Sequence, residues 1–321
     1  MILTVTINPL LERRYYYSEL DLSSVNRNGK LIIKAGGKGI NINRQLNKLG
    51  LKNIALLFTG GINGKLLRES LENEKIIYSE IITKNETRDA AIIIDEAKSK
   101  VYSFFRSDTE ITPTEVESFI LKMEKMISTC EIVVFSGSSP SRIADMIFPE
   151  GIRIANKLDK ISICDTYGNH FEKCLDAAPT IIHNNFDEIK SSLNLSMDSE
   201  SDILTVLDLL YKKGVKQAFL TDAEKRFYAM NFDFHYRITL PKIDVKDSTG
   251  SGDAFTAGLI YGWQKKLNFE EQLGFASALG ICNAKSIEVC DVSFEDAISI
   301  SDQITISPVG KKIKIINDQP D

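Results

Sequence analysis

Six short apolar runs, spaced by segments of helical periodicity, constrain this chain most. Ile2–Ile7, Ile54–Phe58, Ile132–Phe135, Ile161–Cys164, Ile181–His183 and Ala218–Leu220 read as buried strands. Between them, Thr114–Ile127 and Ile203–Lys212 carry apolar residues at helical spacing. The alternation predicts an α/β chain, a parallel sheet covered by helices on both faces. At 321 residues the chain suffices for one large domain of this kind with a small accessory piece.

Two stretches break the rhythm. Residues 12–34 and 87–105 are strand-like, with turn residues between the runs and no helical pattern. They read as one small antiparallel sheet inserted into a main domain of residues 1–11, 35–86 and 106–308. A lid over an active site is the functional reading; a structural or dimerising flap is the plainer one. Residues 309–321 read as a polar tail, expected to be partly disordered.

Charge and composition exclude several classes. Net charge is −5 with both signs mixed along the chain, so no basic stripe marks a nucleic-acid surface. No apolar run is long enough to span a bilayer, and MILTVTINP has neither the basic start nor the cleavage site of a signal peptide. A cytoplasmic location is expected. The five cysteines form no CxxC pair and read as free thiols, and the three histidines lack a zinc spacing.

The chemistry gathers in DSTGSGDAF, residues 247–255. It follows the strand-like YRITLPKIDV and opens a helix with Phe255, Leu259 and Trp263 on one face. The amides of Gly250, Ser251 and Gly252 would stand at a helix N-terminus and hold an anion there without a basic side chain. Asp253, in the first turn, would point into the same space. A P-loop is absent because Leu66 follows Gly64-Lys65, and GxGxxG fails at Phe255. An amide cradle followed by a carboxylate suits phosphoryl transfer to a hydroxyl: the amides stabilise charge and the carboxylate takes the proton. The plainer reading is a glycine turn with an Asp favoured by the helix dipole. A second cluster, AGGKGININR (Ala35–Arg44), precedes another helix. Gly36, Gly37 and Gly39 would let a substrate lie against backbone, and Asn41 offers donor and acceptor to a polyol. Two such helix starts and an inserted lid point to a two-substrate site.

On these residues the sequence resembles the ribokinase/PfkB carbohydrate kinase family from Met1 to about residue 295, and most closely its hexose-phosphate branch, which contains 1-phosphofructokinase and tagatose-6-phosphate kinase. ILTVTINPLLE resembles the branch's opening, AGGKGININR its sugar-side signature, and DSTGSGDAF its anion-hole and catalytic-base signature. The resemblance implies a ribokinase-like three-layer α/β/α sandwich with a small β-sheet lid. It implies Asp253 as base, Gly250, Ser251 and Gly252 as anion hole, and Gly37, Lys38 and Asn41 facing the sugar. ETRDAAII resembles the lid strand whose Arg binds the substrate phosphate, here Arg88, and FSGSSP a segment whose serine contacts it, here Ser138. NNFDE matches the NxxE motif that organises Mg²⁺ and phosphates, here Asn185 and Glu188, the latter through water. GICNAKS matches a segment with an Asn near the adenine, here Asn283.

Four departures stand out. Glu12 replaces the branch's Asp, one methylene longer, among the sugar contacts. The nucleotide loop [ST]LGxxG reads LTDAEKR, with Leu220 for the hydroxyl residue, then Thr221, and Asp222 and Lys225 for the glycines. Asp222 would set a carboxylate near nucleotide phosphates unless Lys225 or Mg²⁺ offsets it. His183-Asn184 replaces Lys-Pro before NxxE, and Arg106–Thr109 replaces the lid's PGP. The resemblance implies ATP- and Mg²⁺-dependent phosphorylation of a ketohexose phosphate (fructose 1-phosphate or tagatose 6-phosphate) to a hexose bisphosphate, by a homodimer formed through the lid. Two alternatives stay open: a regulatory protein that binds sugar phosphate with a degenerate nucleotide site, and a kinase of a non-phosphorylated sugar or nucleoside.

Overall fold

The structure, a computed structural model, describes residues 1–222 and 226–309. The first strand, β1 (Ile2–Thr6), lies mid-sheet and shows how both faces are used. Leu3 and Val5 pack into the apolar layer on one face, and Ile2 into the layer on the other. β2 (Leu10–Tyr17) and β3 (Lys30–Gly36) turn away from this sheet. α1 (Lys38–Lys48), β4 (Asn53–Thr59), α2 (Gly61–Asn73) and β5 (Tyr78–Ile82) return to it. β6 (Asp89–Asp95) and β7 (Lys100–Phe105) leave again.

Regular alternation follows through α3 (Pro113–Ser128), β8 (Ile132–Ser136), α4 (Ile147–Lys157), β9 (Ile161–Asp165) and α5 (Phe171–Asp176). It continues with β10 (Ile181–Asn185), α6 (Phe186–Leu193), α7 (Glu200–Lys212) and β11 (Gln217–Asp222). The chain closes with β12 (Arg226–Asn231), β13 (Phe234–Thr239), α8 (Ser251–Gln264), α9 (Phe269–Ala284), α10 (Phe294–Ser301) and β14 (Thr305–Val309).

The main sheet runs β14-β13-β12-β11-β10-β9-β8-β1-β4-β5. All six strands read from the sequence lie in its parallel part, β11 to β5. The antiparallel extension β12–β14 escaped that reading, because a hairpin has no crossover helix to announce it. Phe119, Ile152, Phe171 and Leu207 cover one face against Val133, Phe135 and Ile182; Ile42, Phe255 and Leu273 cover the other against Val134, Ile163 and Phe219. The fold is the three-layer, ribokinase-like arrangement expected.

The small sheet, in the order β3-β2-β6-β7, corrects one expectation. Its two hairpins are antiparallel, but β2 and β6 pair parallel, from Leu11↔Asp89 to Tyr17↔Asp95. Both strands run outward from the main sheet, so where the hairpins meet they share a direction. The sheet also starts at Leu10 and β3 runs on through Gly36, slightly beyond the expected limits. Val309 pairs with His235 and so belongs to β14; the tail expected from there lies, after Val309, outside the described residues. Among the described residues no helix is long and apolar enough to cross a membrane. All five cysteines are free.

Asp253 to Ile260 of α8 are buried without a break, so this helix is enclosed rather than one-sided. Phe255 and Leu259 are buried as expected, whereas Trp263 is 38% exposed. Gly258 is what lets α9 approach: a Cβ there would lie 2.5 Å from Ala276 Cα. Gly258→Ala should therefore destabilise the protein by about 1–3 kcal/mol in chemical denaturation. Helix propensity alone predicts the opposite sign, a gain of about 1 kcal/mol, so a stabilised variant would show that the helices are not in this contact.

Candidate active site

In open α/β sheets the loops beyond the carboxyl ends of the parallel strands line the crevice. Here those ends deliver Asn8 after β1, Ser138 after β8, Asp165 on β9, Asn185 on β10, and Thr221 and Asp222 on β11. α3, α6, α7 and α9 are closed by capping boxes of their own side chains. The two glycine clusters begin α1 and α8 differently. Gly37 (φ 118°) and Gly250 (φ 77°) occupy the N-cap with positive φ and no side-chain cap, so first-turn amides are left for a ligand. Neither Gly250 nor Gly252 tolerates a Cβ, which would meet Val289 Cγ1 at 2.3 Å and His183 Cε1 at 2.8 Å respectively. Ser251 corrects the expected cradle: its amide donates to the Ser248 carbonyl at 3.1 Å, so that donor is engaged within the turn.

Asp253 is buried at this helix start, and its Oδ2 accepts from Asn41 Nδ2 at 2.7 Å. Arg44 donates to Asn41 Oδ1 at 2.8 Å and pairs with Glu74, so the side-chain amide's orientation is set from behind. Burial first, then the charge of Asp165, pushes the Asp253 carboxyl up to about 7 against the pull of Lys38, Asn41 and His183. The sequence placed Lys38 on the sugar. Its ammonium instead meets Asp165 Oδ1 at 3.0 Å and Glu188 Oε1 at 2.7 Å. Burial would strip its proton, but Asp165, Glu188 and Asp253 outweigh it and hold the ammonium charged. Asp165 is itself fully buried; the burial cost is overridden by Lys38 and His183, which keep it well below the usual carboxylate range. Thr256 Oγ1 donates to its other oxygen at 3.0 Å, with His183 Nδ1 3.4 Å away.

Asn185 and Glu188 cap α6 reciprocally: Asn185 Oδ1 accepts from the Glu188 amide at 2.7 Å, and Glu188 Oε2 from the Asn185 amide at 3.0 Å. The other Glu188 oxygen is the one on Lys38. Thr221 lies beside Asn185 across the strands, and Asp222 opposite Arg226; Lys225 lies outside the described residues. Asn283, on α9, bonds to the turn that opens α8. It is buried behind the glycine turn, donating to the Thr249 carbonyl at 2.8 Å and Ser251 Oγ at 3.1 Å and accepting from the Cys290 amide at 2.7 Å. Its side-chain amide holds the turn's shape.

Glu12 has room for its extra methylene because Gly36 has no side chain; a Cβ there would meet Glu12 Oε1 at 2.4 Å. Burial raises the Glu12 carboxyl against Arg14, Arg44 and Lys34, and Arg14 Nε lies 3.4 Å from Oε2. At the small-sheet end, Arg88 donates to the Asn8 carbonyl at 3.0 Å and meets Asp108 at 2.9 Å. Asn8 Nδ2 bridges onward to Ser138 Oγ at 2.9 Å. Arg88 and Ser138 are thus brought together, through an asparagine the sequence did not single out. A cavity of about 320 Å³ opens beside Arg88, Arg106 and Asp108, away from Asp253.

The chain matches the profile of the pfkB family carbohydrate kinases over residues 10–296. It belongs to that family. It is 28% identical over 319 residues to a tagatose-6-phosphate kinase of Staphylococcus epidermidis, covering 96% of this chain and 100% of that one. Among solved structures it is similar to one described as a possible 1-phosphofructokinase of Thermotoga maritima: TM-score 0.88, 25% identity, 96% and 99% coverage. Phosphofructokinase-2 of Escherichia coli in complex with potassium shares the fold, with TM-score 0.85 at 20% identity over 94% and 98% of the two chains.

The buried Asp253 carboxyl, raised to about 7, has a consequence for stability. The unfolded chain releases this proton near pH 4 and the folded one near pH 7, so the native state holds the extra proton and loses stability as pH rises between them. Asp253→Asn should match the wild type at the acid end of that window and become progressively more stable than it up to about pH 7, then keep a constant lead. Denaturation midpoints at several pH values read this directly; a lead that does not change with pH would mean that Asp253 titrates normally.

Proposed function

We propose that this kinase transfers the γ-phosphoryl group of ATP, with Mg²⁺, to a hydroxyl of a ketohexose that already carries a phosphate. Tagatose 6-phosphate and fructose 1-phosphate are the leading acceptors, and the product is a hexose bisphosphate. The observation that carries this reading is the second anion seat. The partly desolvated Arg88, with Asn8 and Ser138, stands apart from the glycine turn of α8. One seat suits the transferred group and the other the acceptor's own phosphate. The names of the relatives point to the same substrate class.

In this mechanism Asp253 takes the acceptor hydroxyl's proton, with a pKa matched to neutral pH. Asn41, set by Arg44, holds the carboxylate's orientation. First-turn amides of α8 stabilise charge on the transferring group, and Gly250 and Gly252 let this turn pack against Val289 and His183. When bound, ATP supplies the phosphoryl group and Mg²⁺ neutralises its charge. Glu188 would serve Mg²⁺ through water, since its two oxygens already meet Lys38 and the Asn185 amide. Among the described residues no group of three His, Cys, Asp or Glu is placed to hold a metal ion; Mg²⁺ would be held by Glu188 through water and by the nucleotide phosphates. Thr221, Asp222, Lys225 and Asn185 would line the nucleotide side. The small sheet would act as a lid, excluding water whose attack would waste ATP. Its face carrying Tyr15, Leu31, Ile93 and Tyr102 is continuous across the strands and only partly covered, with Leu31 47% exposed. A second copy is the partner proposed for it.

Asp253→Asn should lower kcat by about 10²–10⁴-fold, with acceptor KM moved only a few-fold, and wild-type kcat/KM should fall on the acid side of about pH 7. Near-normal turnover would remove Asp253 from the role of base. Arg88→Ala should raise KM for the phosphorylated acceptor by about 10–100-fold and leave that for ATP in place. An unchanged acceptor KM would favour a non-phosphorylated substrate.

A further inference from the structure

Arg88 is held by two main-chain carbonyls, those of Asn8 and Pro9, and by one carboxylate, Asp108. Its side chain is only 16% exposed, and burial draws its pKa down while Asp108 opposes that. Asn8, 4% exposed, turns its Nδ2 to the same Asp108 oxygen at 2.8 Å as well as to Ser138 Oγ at 2.9 Å. Asn8 Oδ1 is buried without a hydrogen-bond partner among the described residues, so this amide is committed to the crevice through its NH₂ group. One carboxylate oxygen therefore collects the donors of Arg88 and Asn8.

We propose that Asp108 is an internal competitor for the acceptor's phosphate, and so a specificity-determining residue of the seat. This rests on the reading of Arg88 given above. Asp108 is a single negative charge, 43% exposed, and returns to water at little cost. A phosphate brings close to two charges and three acceptor oxygens to the same donors and displaces it. A neutral sugar cannot, so the seat selects against non-phosphorylated acceptors by leaving Asp108 in place. Exchange needs only side-chain rotation, because the backbone around Asp108 is tied on both sides. The Arg106 amide donates to the Asp89 carbonyl at 3.0 Å, and Thr109 Oγ1 bridges the Arg88 amide at 3.1 Å and the Glu86 carbonyl at 3.0 Å. Between turnovers Asp108 keeps a desolvated cation from standing unpaired.

The test uses the full chain carrying Asp108→Asn or Asp108→Ala, with steady-state kinetics on tagatose 6-phosphate and fructose 1-phosphate at saturating ATP–Mg²⁺. Inorganic phosphate serves as a competitive inhibitor against the acceptor. Both variants should lower acceptor KM and the phosphate inhibition constant together, by about three- to tenfold, with the KM for ATP unmoved. Combining Asp108→Ala with Arg88→Ala should erase the gain, as expected for two groups that act on each other. An unchanged KM in the near-isosteric Asp108→Asn variant overturns the proposal. A raised KM also overturns it, by making Asp108 a contact of the acceptor. If Arg88→Ala raises the acceptor KM while the Asp108 variants fail to lower it, only the competitor role is lost. If Arg88→Ala changes nothing, the phosphate-seat reading itself falls.

Discussion

The Lys38 ammonium is the interaction on which the rest of the site depends. It starts α1, the helix of the first glycine cluster, yet reaches across the crevice to Asp165 on β9 and Glu188 on α6. Without it two carboxylates would be left largely uncompensated in a buried place, a defect that costs several kcal/mol. The Asp253 carboxyl responds to both signs, raised by Asp165 and lowered by Lys38. Its proton affinity is therefore a property of the whole array. Through these two ion pairs one ammonium ties the Asp253 side of the crevice to the side of the NxxE motif.

Around this array the chain uses two kinds of helix start. Helices such as α3, α7 and α9 satisfy their own amides with Thr112, Ser199 and Asn268. α1 and α8 begin at glycines with positive φ and no side-chain cap. The outgoing hairpins add the third part. Because β2 and β6 run side by side in one direction, the segments before and after β6–β7 bring Arg88 and Asp108 together over Asn8.

Much of this was legible in sequence because it depends on local chemistry. A glycine turn before a helix, and a carboxylate in its first turn, can be recognised from nine residues. What was not legible depends on distance along the chain. Asp165 lies at the end of an ordinary apolar strand, 127 residues from the lysine it holds. Arg44 sits inside the quoted AGGKGININR, but its work on Asn41 needs Glu74 beyond a strand and a helix. Lys38 and Asn283 were read from neighbours in sequence, and the structure turns one toward Asp165 and Glu188 and the other behind the turn. The signal that could have found Asp165 was a charged residue closing a run, ISIC, that otherwise reads as buried.

By itself the sequence determined the layered α/β class, the positions of six of the seven parallel strands and the two glycine helix starts. Hydrophobic period and positive-φ turns are properties of short segments, and they survive any arrangement of the rest. Only the tertiary structure decided which charges face one another: Lys38 with Asp165 and Glu188, Asp253 with Asn41, Arg88 with Asp108. Coulomb energy and desolvation act through space over a few ångströms. The chain order of the residues that share a buried pocket carries no record of that distance.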